Sequence, residues 1–234
     1  MIAPTHIAVI PDGNRRWAKL HGVPALEGHQ HGAQTMHNVI DCLIDRQVKY
    51  LTVWGFSTDN WKRTTEEVDS LFDLLGFWIL SDLAWLHSNG VRLKHIGCFG
   101  ELPSNLKNKI ITAVNLTKAN RGMTLVLAFN CTGRAEIVDA VRRLIDSGRL
   151  FEPAMSRPQL DEELFSHYLY TDGMPDVDLV IRTAGEFRLS NFLLWQTAYS
   201  EFFFTEVLWP DFETKELEKA LNAYSERKRR FGGD

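Results

Sequence analysis

An aspartate followed closely by two arginines is the first group of residues that could do chemistry: Asp12, Arg15 and Arg16. Arginine suits phosphate oxygens, whereas an aspartate alone would repel them. The group is coherent if a divalent cation lies between carboxylate and phosphate, because Mg²⁺ is usually held by one or two carboxylates plus substrate phosphates. Gly13 would let the backbone approach such a ligand. The simpler alternative is an aspartate that caps a surface helix with solvated arginines.

A second set of anion-binding residues follows an apolar run late in the chain: Arg182, Arg188 and Ser190. Arginines and a serine around a glycine-containing loop are the donors that a second phosphate group would require. The alternative is a pair of structural arginines that bridge to Glu186 and Glu201. Two separate arginine sets predict two phosphorylated ligands, or one ligand with two phosphorylated ends.

The segment 65–88 is more apolar than a surface helix needs to be, since one hydrophobic stripe is usually enough. Leu71, Leu74, Leu75, Trp78 and Leu86 outline one face, and further large apolar side chains extend around the others. The surplus indicates either an ordinary buried helix or the wall of an apolar cavity. Beside phosphate sites, such a cavity would suit a ligand with a charged head and a hydrocarbon tail.

Short apolar runs alternate with amphipathic segments along the chain, which predicts an α/β fold with a mostly parallel central sheet flanked by helices. The runs show little polar alternation, so we expect strands that are buried on both faces. The predicted strands are His6–Ile10, Tyr50–Phe56, Val91–Phe99, Thr124–Phe129, Val177–Ile181 and Phe202–Phe204. The predicted helices cover about 14–21, 29–47, 65–88, 104–120, 134–147, 160–168 and 213–229. No linker or repeat divides the chain, and residues 1–234 are expected to form a single domain.

Four polar loops follow predicted strands, at 11–17, 57–61, 130–134 and 182–186. Ligands of parallel α/β sheets bind outside the carboxyl ends of the strands. Since those ends meet at one edge of the sheet, we expect the four loops to form one polar site.

The composition excludes several classes of protein. Of 234 residues, 44% are hydrophobic and 24% charged, which is typical of a folded domain, and a formal charge of −4 argues against nucleic acid as a partner. No apolar stretch is long enough to span a membrane, and the N-terminus lacks the pattern of a secretory signal, which predicts a cytoplasmic protein. Cys42, Cys98 and Cys131 are expected to be buried free thiols.

Taken together, the motifs resemble the cis-prenyltransferase family, typified by undecaprenyl diphosphate synthase. The resemblance extends over nearly the whole chain, and its motifs occur in order. They are Asp12-Gly-Asn-x-Arg-Trp17, Gly28-His29, Phe56-Ser-x-x-Asn60-Trp-x-Arg63, Asp178-Leu-Val-Ile-Arg-Thr, Arg188-x-Ser-Asn-Phe-Leu-Leu-Trp195, Glu201, Trp209-Pro-Asp-Phe212 and the tail Arg229-Arg-Phe-Gly-Gly233.

The resemblance implies a homodimeric, Mg²⁺-dependent enzyme that condenses isopentenyl diphosphate with dimethylallyl, geranyl or farnesyl diphosphate and forms a cis double bond. It implies metal positions at Asp12 and Glu201 and catalytic roles for Asp12 and Asn60. Asn60 would assist proton removal, although a neutral amide is a poor base and the departing diphosphate is a better one. The implied substrate-binding residues are Gly13, Asn14, Arg15, Arg16, Trp17, His29, Ser57, Thr58, Asp59, Trp61, Arg63, Arg182, Arg188, Leu189, Ser190, Arg230 and Gly232.

Three positions depart from the family pattern. Ala25 stands where many relatives carry an arginine, Phe187 replaces a histidine beside the second metal position, and Ala184 replaces a frequent glycine. We expect these three departures to affect the affinity for substrates and the requirement for metal, and not the class of reaction.

The resemblance also places a lipid tail in an apolar tunnel between helices 29–47 and 65–88. Bulky residues near the tunnel floor stop chain growth early in this family, so Phe72, Phe77, Trp78 and Ile79 predict a product of short to medium length. Product release could involve peripheral contact with a membrane. The alternatives are a non-catalytic partner subunit of a heteromeric prenyltransferase and a phosphotransfer or phosphatase enzyme that uses the same two anion sites.

Overall fold

Six parallel strands form the central sheet in the computed structural model, which describes residues 3–151 and 159–227. The spatial order is β3-β4-β2-β1-β5-β6, and each neighbouring pair runs parallel. The strands are β1 (His6–Ile10), β2 (Tyr50–Phe56), β3 (Arg92–Ile96), β4 (Thr124–Phe129), β5 (Leu179–Arg182) and β6 (Glu201–Phe204). The predicted α/β class and the parallel sheet are confirmed.

Helices connect the strands and cover the sheet, as a parallel topology requires. They are α1 (Asn14–His21), α2 (Ala25–Asp45), α3 (Thr65–Ser88), α4 (Ser104–Thr117), α5 (Gly133–Asp146), α6 (Glu162–Ser166) and α7 (Thr214–Glu226). Three short 3₁₀ turns lie at Thr58–Lys62, Arg149–Phe151 and Trp209–Asp211. Helix α2 begins four residues earlier than predicted, because Pro24 precedes it and favours a helix start. Strand β3 is shorter than predicted, since Gly97 turns the chain at a φ of +119°.

The strands are apolar on both faces, and alternate residues of β1 enter two hydrophobic clusters. Ile7 and Val9 pack in the larger cluster, to which α2, α3, α4 and α7 contribute. Ala8 and Ile10 pack in the smaller one, which includes Phe192 from the loop after β5. Since β1 is completely buried at the centre of the sheet, the residues that follow it are held on a rigid base.

Two of the three cysteines are buried as expected, but Cys98 is exposed, so the prediction was wrong for that residue. Cys98 follows the turn at Gly97 that ends β3, and this turn carries it out of the sheet core. Within the two described ranges, no helix combines the length and the apolar character that crossing a membrane would require.

A buried carboxyl group on α5 makes the stability of the fold depend on pH. Glu136 is almost fully buried and accepts hydrogen bonds from the Tyr170 backbone N–H (2.9 Å) and the Gln196 side-chain amide (3.0 Å). Burial raises the pKa of Glu136 to about 7, although these two hydrogen bonds and the charge of Arg143 oppose the shift.

We therefore expect the protein to lose stability as the pH rises from 4.5, the ordinary pKa of this group, to about 7. The unfolded state releases this proton first, so the folded state carries a penalty of about 3 kcal/mol above that range. Glu136→Gln should flatten the fall in Tm between pH 5 and 8, measured by thermal unfolding. The exposed Glu163 provides the control Glu163→Gln, and equal slopes in both variants would contradict the assignment.

Candidate active site

A cleft at the carboxyl ends of β1, β2 and β4 encloses about 260 Å³ and has one charged end and one apolar end. Since these strands run parallel, the four predicted polar loops do lie at one edge of the sheet. Described residues at the charged end include Asp12, Arg15, Arg16, His29, Asn60 and Arg63. At the apolar end they include Met36, Leu71, Leu74, Leu75, Trp78 and Leu127.

The turn after β1 depends on a glycine. Gly13 adopts a φ of +110°, which L-residues rarely do, and a Cβ there would lie 3.0 Å from the Leu208 side chain. Helix α1 starts directly after it, so the sharp turn places Asp12, Asn14 and Arg15 on the cleft. The requirement for glycine is thus both conformational and steric.

Helix α2 packs against α1 through two further glycines. A Cβ on Gly28 would lie 2.2 Å from the Asn14 carbonyl oxygen, and one on Gly32 would lie 2.2 Å from Asn14 Oδ1. Only glycine therefore permits this close approach of the two helices. The approach carries His29 into the charged end of the cleft.

His29 is neutral at physiological pH, because its pKa is lowered to about 4. Burial is the largest cause, the charges of Arg63 and Arg15 act in the same direction, and Glu67 opposes them. Its Nε2 atom is buried and has no hydrogen-bond partner within the described chain. A buried polar atom without a partner is costly, so this nitrogen is available to a ligand that enters the cleft.

The two arginines nearest His29 share one carboxylate. Glu67 Oε1 accepts from Arg63 Nη1 at 3.0 Å and lies 3.4 Å from Arg15 Nη1. Glu67 is at the start of α3, where Thr64 caps the helix by accepting from the Glu67 backbone N–H. The pairing keeps two cationic side chains from separate parts of the chain close together in the cleft.

Arg182 connects the first and second predicted anion sets. Its side chain is buried, with the residue only 3% exposed, and Nη2 donates to Asp12 Oδ2 at 3.0 Å. Nη1 donates to Ser190 Oγ at 2.8 Å and to the Arg188 carbonyl oxygen. Arg182 is therefore largely occupied within the protein, although its buried Nε has no partner among the described residues.

The more exposed arginines, Arg16 and Arg188, meet at Glu186. Arg16 Nη2 lies 3.4 Å from Glu186 Oε1, and Arg188 Nη1 donates to Glu186 Oε2. The alternative considered from the sequence, a bridge from the second arginine set to Glu186, is therefore present. It does not exclude a ligand, because both guanidinium groups are about half exposed.

The predicted loop after β2 forms a 3₁₀ turn fixed by its own side chains. Asn60 Oδ1 accepts from the Ser57 backbone N–H at 2.9 Å, and the Trp61 indole donates to Asn130 Oδ1 at 2.9 Å. Thr58 contacts Thr132, and the exposed Asp59 pairs with Lys62. Of this segment only Asn60 and Arg63 line the cleft, so the other predicted residues position the turn.

One of the four bulky residues expected at the cavity floor lines the cleft. Trp78 lines the cleft, whereas Phe72 packs in the core against Phe56 and Trp61, and Ile79 is fully buried. Phe77 is 69% exposed and lines a second groove of about 160 Å³ between α2 and α3. Trp78 lines both cavities, together with Ala33 and Leu74, and is the largest of these three shared side chains.

Several predicted site residues lie elsewhere. Trp17 anchors α1 by donating to Asp211 Oδ1 at 2.8 Å, and Leu189 packs against the smaller hydrophobic cluster. Arg230 and Gly232 lie outside the described residues.

Glu201 is paired with Arg227 at the amino-terminal end of β6, beside Leu179. That is three residues, or about 10 Å, from the edge where Asp12 lies. Within one chain, Asp12 and Glu201 do not share a metal ion, because the parallel register holds them at opposite ends of the sheet.

The donor set around Asp12 fits Mg²⁺ bound together with a substrate. Asp12 is one carboxylate, about one-third exposed, in a cleft lined by arginines and a neutral histidine. No group of three or more histidine, cysteine, aspartate or glutamate side chains within residues 3–151 and 159–227 could hold a metal ion by itself. Mg²⁺ bound through one carboxylate takes its other ligands from phosphates and water.

Two functional features escaped the sequence interpretation. The carboxylate of Glu67 pairs with two cleft arginines, and Met36 on α2 completes the apolar wall opposite α3. The spacing of Gly28 and Gly32 was the available signal for the α1–α2 approach, since glycines four apart lie on one face of a helix. No sequence pattern indicates the pairing of Glu67 with Arg15, which is made across the cleft.

Comparison with known proteins gives a consistent result. The prenyltransferase family model for undecaprenyl diphosphate synthase matches residues 10–232. An isoprenyl transferase of Thermotoga maritima is 45% identical over 100% of this chain and 98% of its own length. An isoprenyl transferase of Clostridium perfringens is 46% identical over 98% of this chain and 90% of its own.

Solved structures agree in fold. Lavandulyl diphosphate synthase from Lavandula x intermedia, crystallised with dimethylallyl diphosphate, superposes with a TM-score of 0.93 at 38% identity and covers 98% of both chains. A probable undecaprenyl diphosphate synthase from Campylobacter jejuni gives a TM-score of 0.82 at 32% identity, over 99% of this chain and 100% of that one. The chain therefore belongs to the cis-prenyltransferase family of undecaprenyl diphosphate synthase and is a prenyl transferase.

Proposed function

We propose that this enzyme adds isopentenyl diphosphate to an allylic diphosphate, with Mg²⁺, and yields a (Z)-prenyl diphosphate of short to medium length. The observation that carries the proposal is the single cleft with arginines and a neutral histidine at one end and apolar side chains at the other. An allylic diphosphate has the same polarity, with a polyanionic head and a hydrocarbon tail. The structural neighbour crystallised with dimethylallyl diphosphate supports this class of substrate.

The charged end would stabilise the charge that develops when the allylic C–O bond ionises. The cleft is lined by Arg15, Arg16 and Arg63, whose N–H groups would donate to the diphosphate as it leaves. His29 Nε2, which has no partner among the described residues, would form a further hydrogen bond. Preorganised donors of this kind lower the barrier because they need not reorient during the reaction. Mg²⁺ held by Asp12 would add Lewis-acid neutralisation of the leaving group.

The carbon–carbon bond forms when the isopentenyl double bond attacks the allylic carbon, and a proton is then lost. Asn60 is a poor acceptor for that proton, since its Oδ1 is already bonded to the Ser57 N–H and an amide is weakly basic. The departing pyrophosphate carries the basic oxygens and takes the proton. The apolar wall around Leu71, Leu75 and Trp78 keeps water from the cation.

Arg188 and Ser190 would bind the isopentenyl diphosphate in a homodimeric, cytoplasmic enzyme. Gly13 and Asn14 add donors on the allylic side, and the tail residues Arg230 and Gly232 would complete the second site across the subunit interface. Glu201 would reach a metal only in such an assembly, given its distance from Asp12 within the chain. The partners are small diphosphates and, during product release, a membrane surface; nucleic acid is not among them.

The test is incubation with labelled isopentenyl diphosphate, Mg²⁺ and dimethylallyl, geranyl or farnesyl diphosphate in turn, with products resolved by chromatography and mass. We expect prenyl diphosphates that are extended by a few isoprene units, and NMR should show cis double bonds. A folded chain that yields no product alone but stimulates a second subunit would establish the partner-subunit alternative. Phosphate release without chain extension would establish the phosphatase alternative.

Replacing the carboxylate at the charged end tests its role in ionisation. Asp12→Asn keeps the size of the side chain and a hydrogen-bond acceptor for Arg182 but removes the charge that pairs with it. We therefore expect the same fold at lower stability and a kcat lower by about 10²–10³-fold. The control is Asp146→Asn, since Asp146 is an exposed carboxylate at the end of α5 that does not line the cleft. A kcat for Asp12→Asn within a few-fold of the control would exclude the role.

Opening the apolar end tests the control of product length. Trp78→Ala removes the largest side chain shared by the 260 Å³ cleft and the 160 Å³ groove, so we expect longer products from the same primer. Phe77→Ala is the matched control, because Phe77 is the neighbouring large side chain but lines only the outer groove. Product distributions that do not differ between wild type and Trp78→Ala, measured by mass spectrometry, would show that Trp78 is not the stop.

A further inference from the structure

Glu186 occupies a position between the two arginine sets that no predicted role explains. One carboxylate oxygen lies 3.4 Å from Arg16 Nη2, and the other accepts from Arg188 Nη1. Arg16 lines the cleft, on the side that the proposed function gives to the allylic diphosphate. Arg188 belongs to the second arginine set, which the proposed function gives to isopentenyl diphosphate. Among the described residues, no other acidic side chain pairs with both of these arginines.

The burial of the three side chains distinguishes this bridge from an ordinary surface ion pair. The Glu186 side chain is 27% exposed, whereas Arg16 is 49% and Arg188 is 59% exposed. The Glu186 side chain is thus more buried than the two arginine side chains, which keep about half of their surface open to solvent. A diphosphate can approach both arginines without first entering the protein.

The backbone around Glu186 is fixed, so its side chain is the part that can move. Arg16 Nη2 also donates to the Ala184 carbonyl oxygen at 2.7 Å. The Ala184 N–H donates to Val207 and the Gly185 N–H to Thr205, both at 2.8 Å. These bonds hold the loop and Arg16 in place whether or not the carboxylate of Glu186 stays on the arginines.

We propose that Glu186 is an internal competitor of the diphosphates, which holds Arg16 and Arg188 in the free enzyme and is displaced from them when substrates bind. A carboxylate and a phosphate accept from the same paired N–H groups of an arginine. One guanidinium group therefore cannot make both of these hydrogen bonds to Glu186 and to a diphosphate at the same time. When pyrophosphate leaves, Glu186 returns to the arginines and speeds its release. Glu186 is therefore a positioning residue, and the identity of its competitors rests on the proposed function.

The matched variants are Glu186→Gln and Glu206→Gln. Glutamine keeps the shape of Glu186 and removes its charge. Glu206 lies beside Gly185, on the same loop cluster, and is an exposed glutamate for which the structure gives no ion pair in the described residues. The two variants remove the same charge from the same neighbourhood, so a general electrostatic effect would be equal in both.

Affinity for inorganic pyrophosphate, measured by isothermal titration calorimetry, is the first readout. We expect Glu186→Gln to bind pyrophosphate about three- to tenfold more tightly than wild type, since the arginines are partly exposed and the bridge is partly screened. Glu206→Gln should bind within twofold of wild type, because Glu206 is exposed and pairs with neither arginine. Glu186→Ala is a second variant, which should also bind pyrophosphate more tightly if the glutamine retains part of the bridge.

The kinetic readout separates competition from structural damage. Under the proposal, Glu186→Gln lowers KM for both substrates and the inhibition constant of pyrophosphate, while kcat falls or stays constant because release slows. Damage to the loop would raise KM instead. Equal or weaker pyrophosphate binding by a folded Glu186→Gln variant overturns the inference even if condensation proceeds. Tighter pyrophosphate binding without any condensation activity in wild type supports it and overturns the proposed function alone.

Discussion

The site depends on the burial of one positive charge at the end of β5. A guanidinium that is almost fully removed from water must be paired and hydrogen-bonded, or the fold loses several kcal/mol. Arg182 meets this requirement through Asp12, Ser190 and the Arg188 carbonyl oxygen. The same contacts tie the loop after β1 to the loop after β5, so one electrostatic requirement determines the relative position of the two anion sets.

The other arginines of the site are also paired with carboxylates, but they are more exposed to water than Arg182. Arg15 and Arg63 share Glu67, and Arg16 and Arg188 share Glu186. Each carboxylate reduces the repulsion between two nearby cations, and both pairs remain partly exposed. The protein can therefore keep four arginines close together before any phosphate is present. His29 fits the same arrangement, since a neutral ring adds no further positive charge to the cluster.

Much of this architecture could be predicted from the sequence because it depends on local pattern. The bounds of β1, β2, β4, α1 and α3 agree with the apolar runs and caps that predicted them. Parallel strands then place the four polar loops at one edge without further information. Pairings between distant residues could not be predicted, as Glu67 with Arg15 and Glu201 with Arg227 show, because partner choice depends on packing between elements. It could not be predicted either that Phe77 points outward and Trp78 inward, since an all-apolar helix does not indicate which of its faces meets the cavity.

The separation of the charged end from the apolar end has a consequence for how such enzymes can diversify. The charged end is formed mainly by strand-end loops and helix starts, whereas its apolar walls come mainly from the interiors of α2 and α3. Mutations in the two helices can change which hydrocarbon fits while the ionising chemistry stays intact. Substitutions on α2 and α3 can therefore change the length of the product while the residues of the loops stay the same. Selection for reaction rate and selection for chain length then act on different residues.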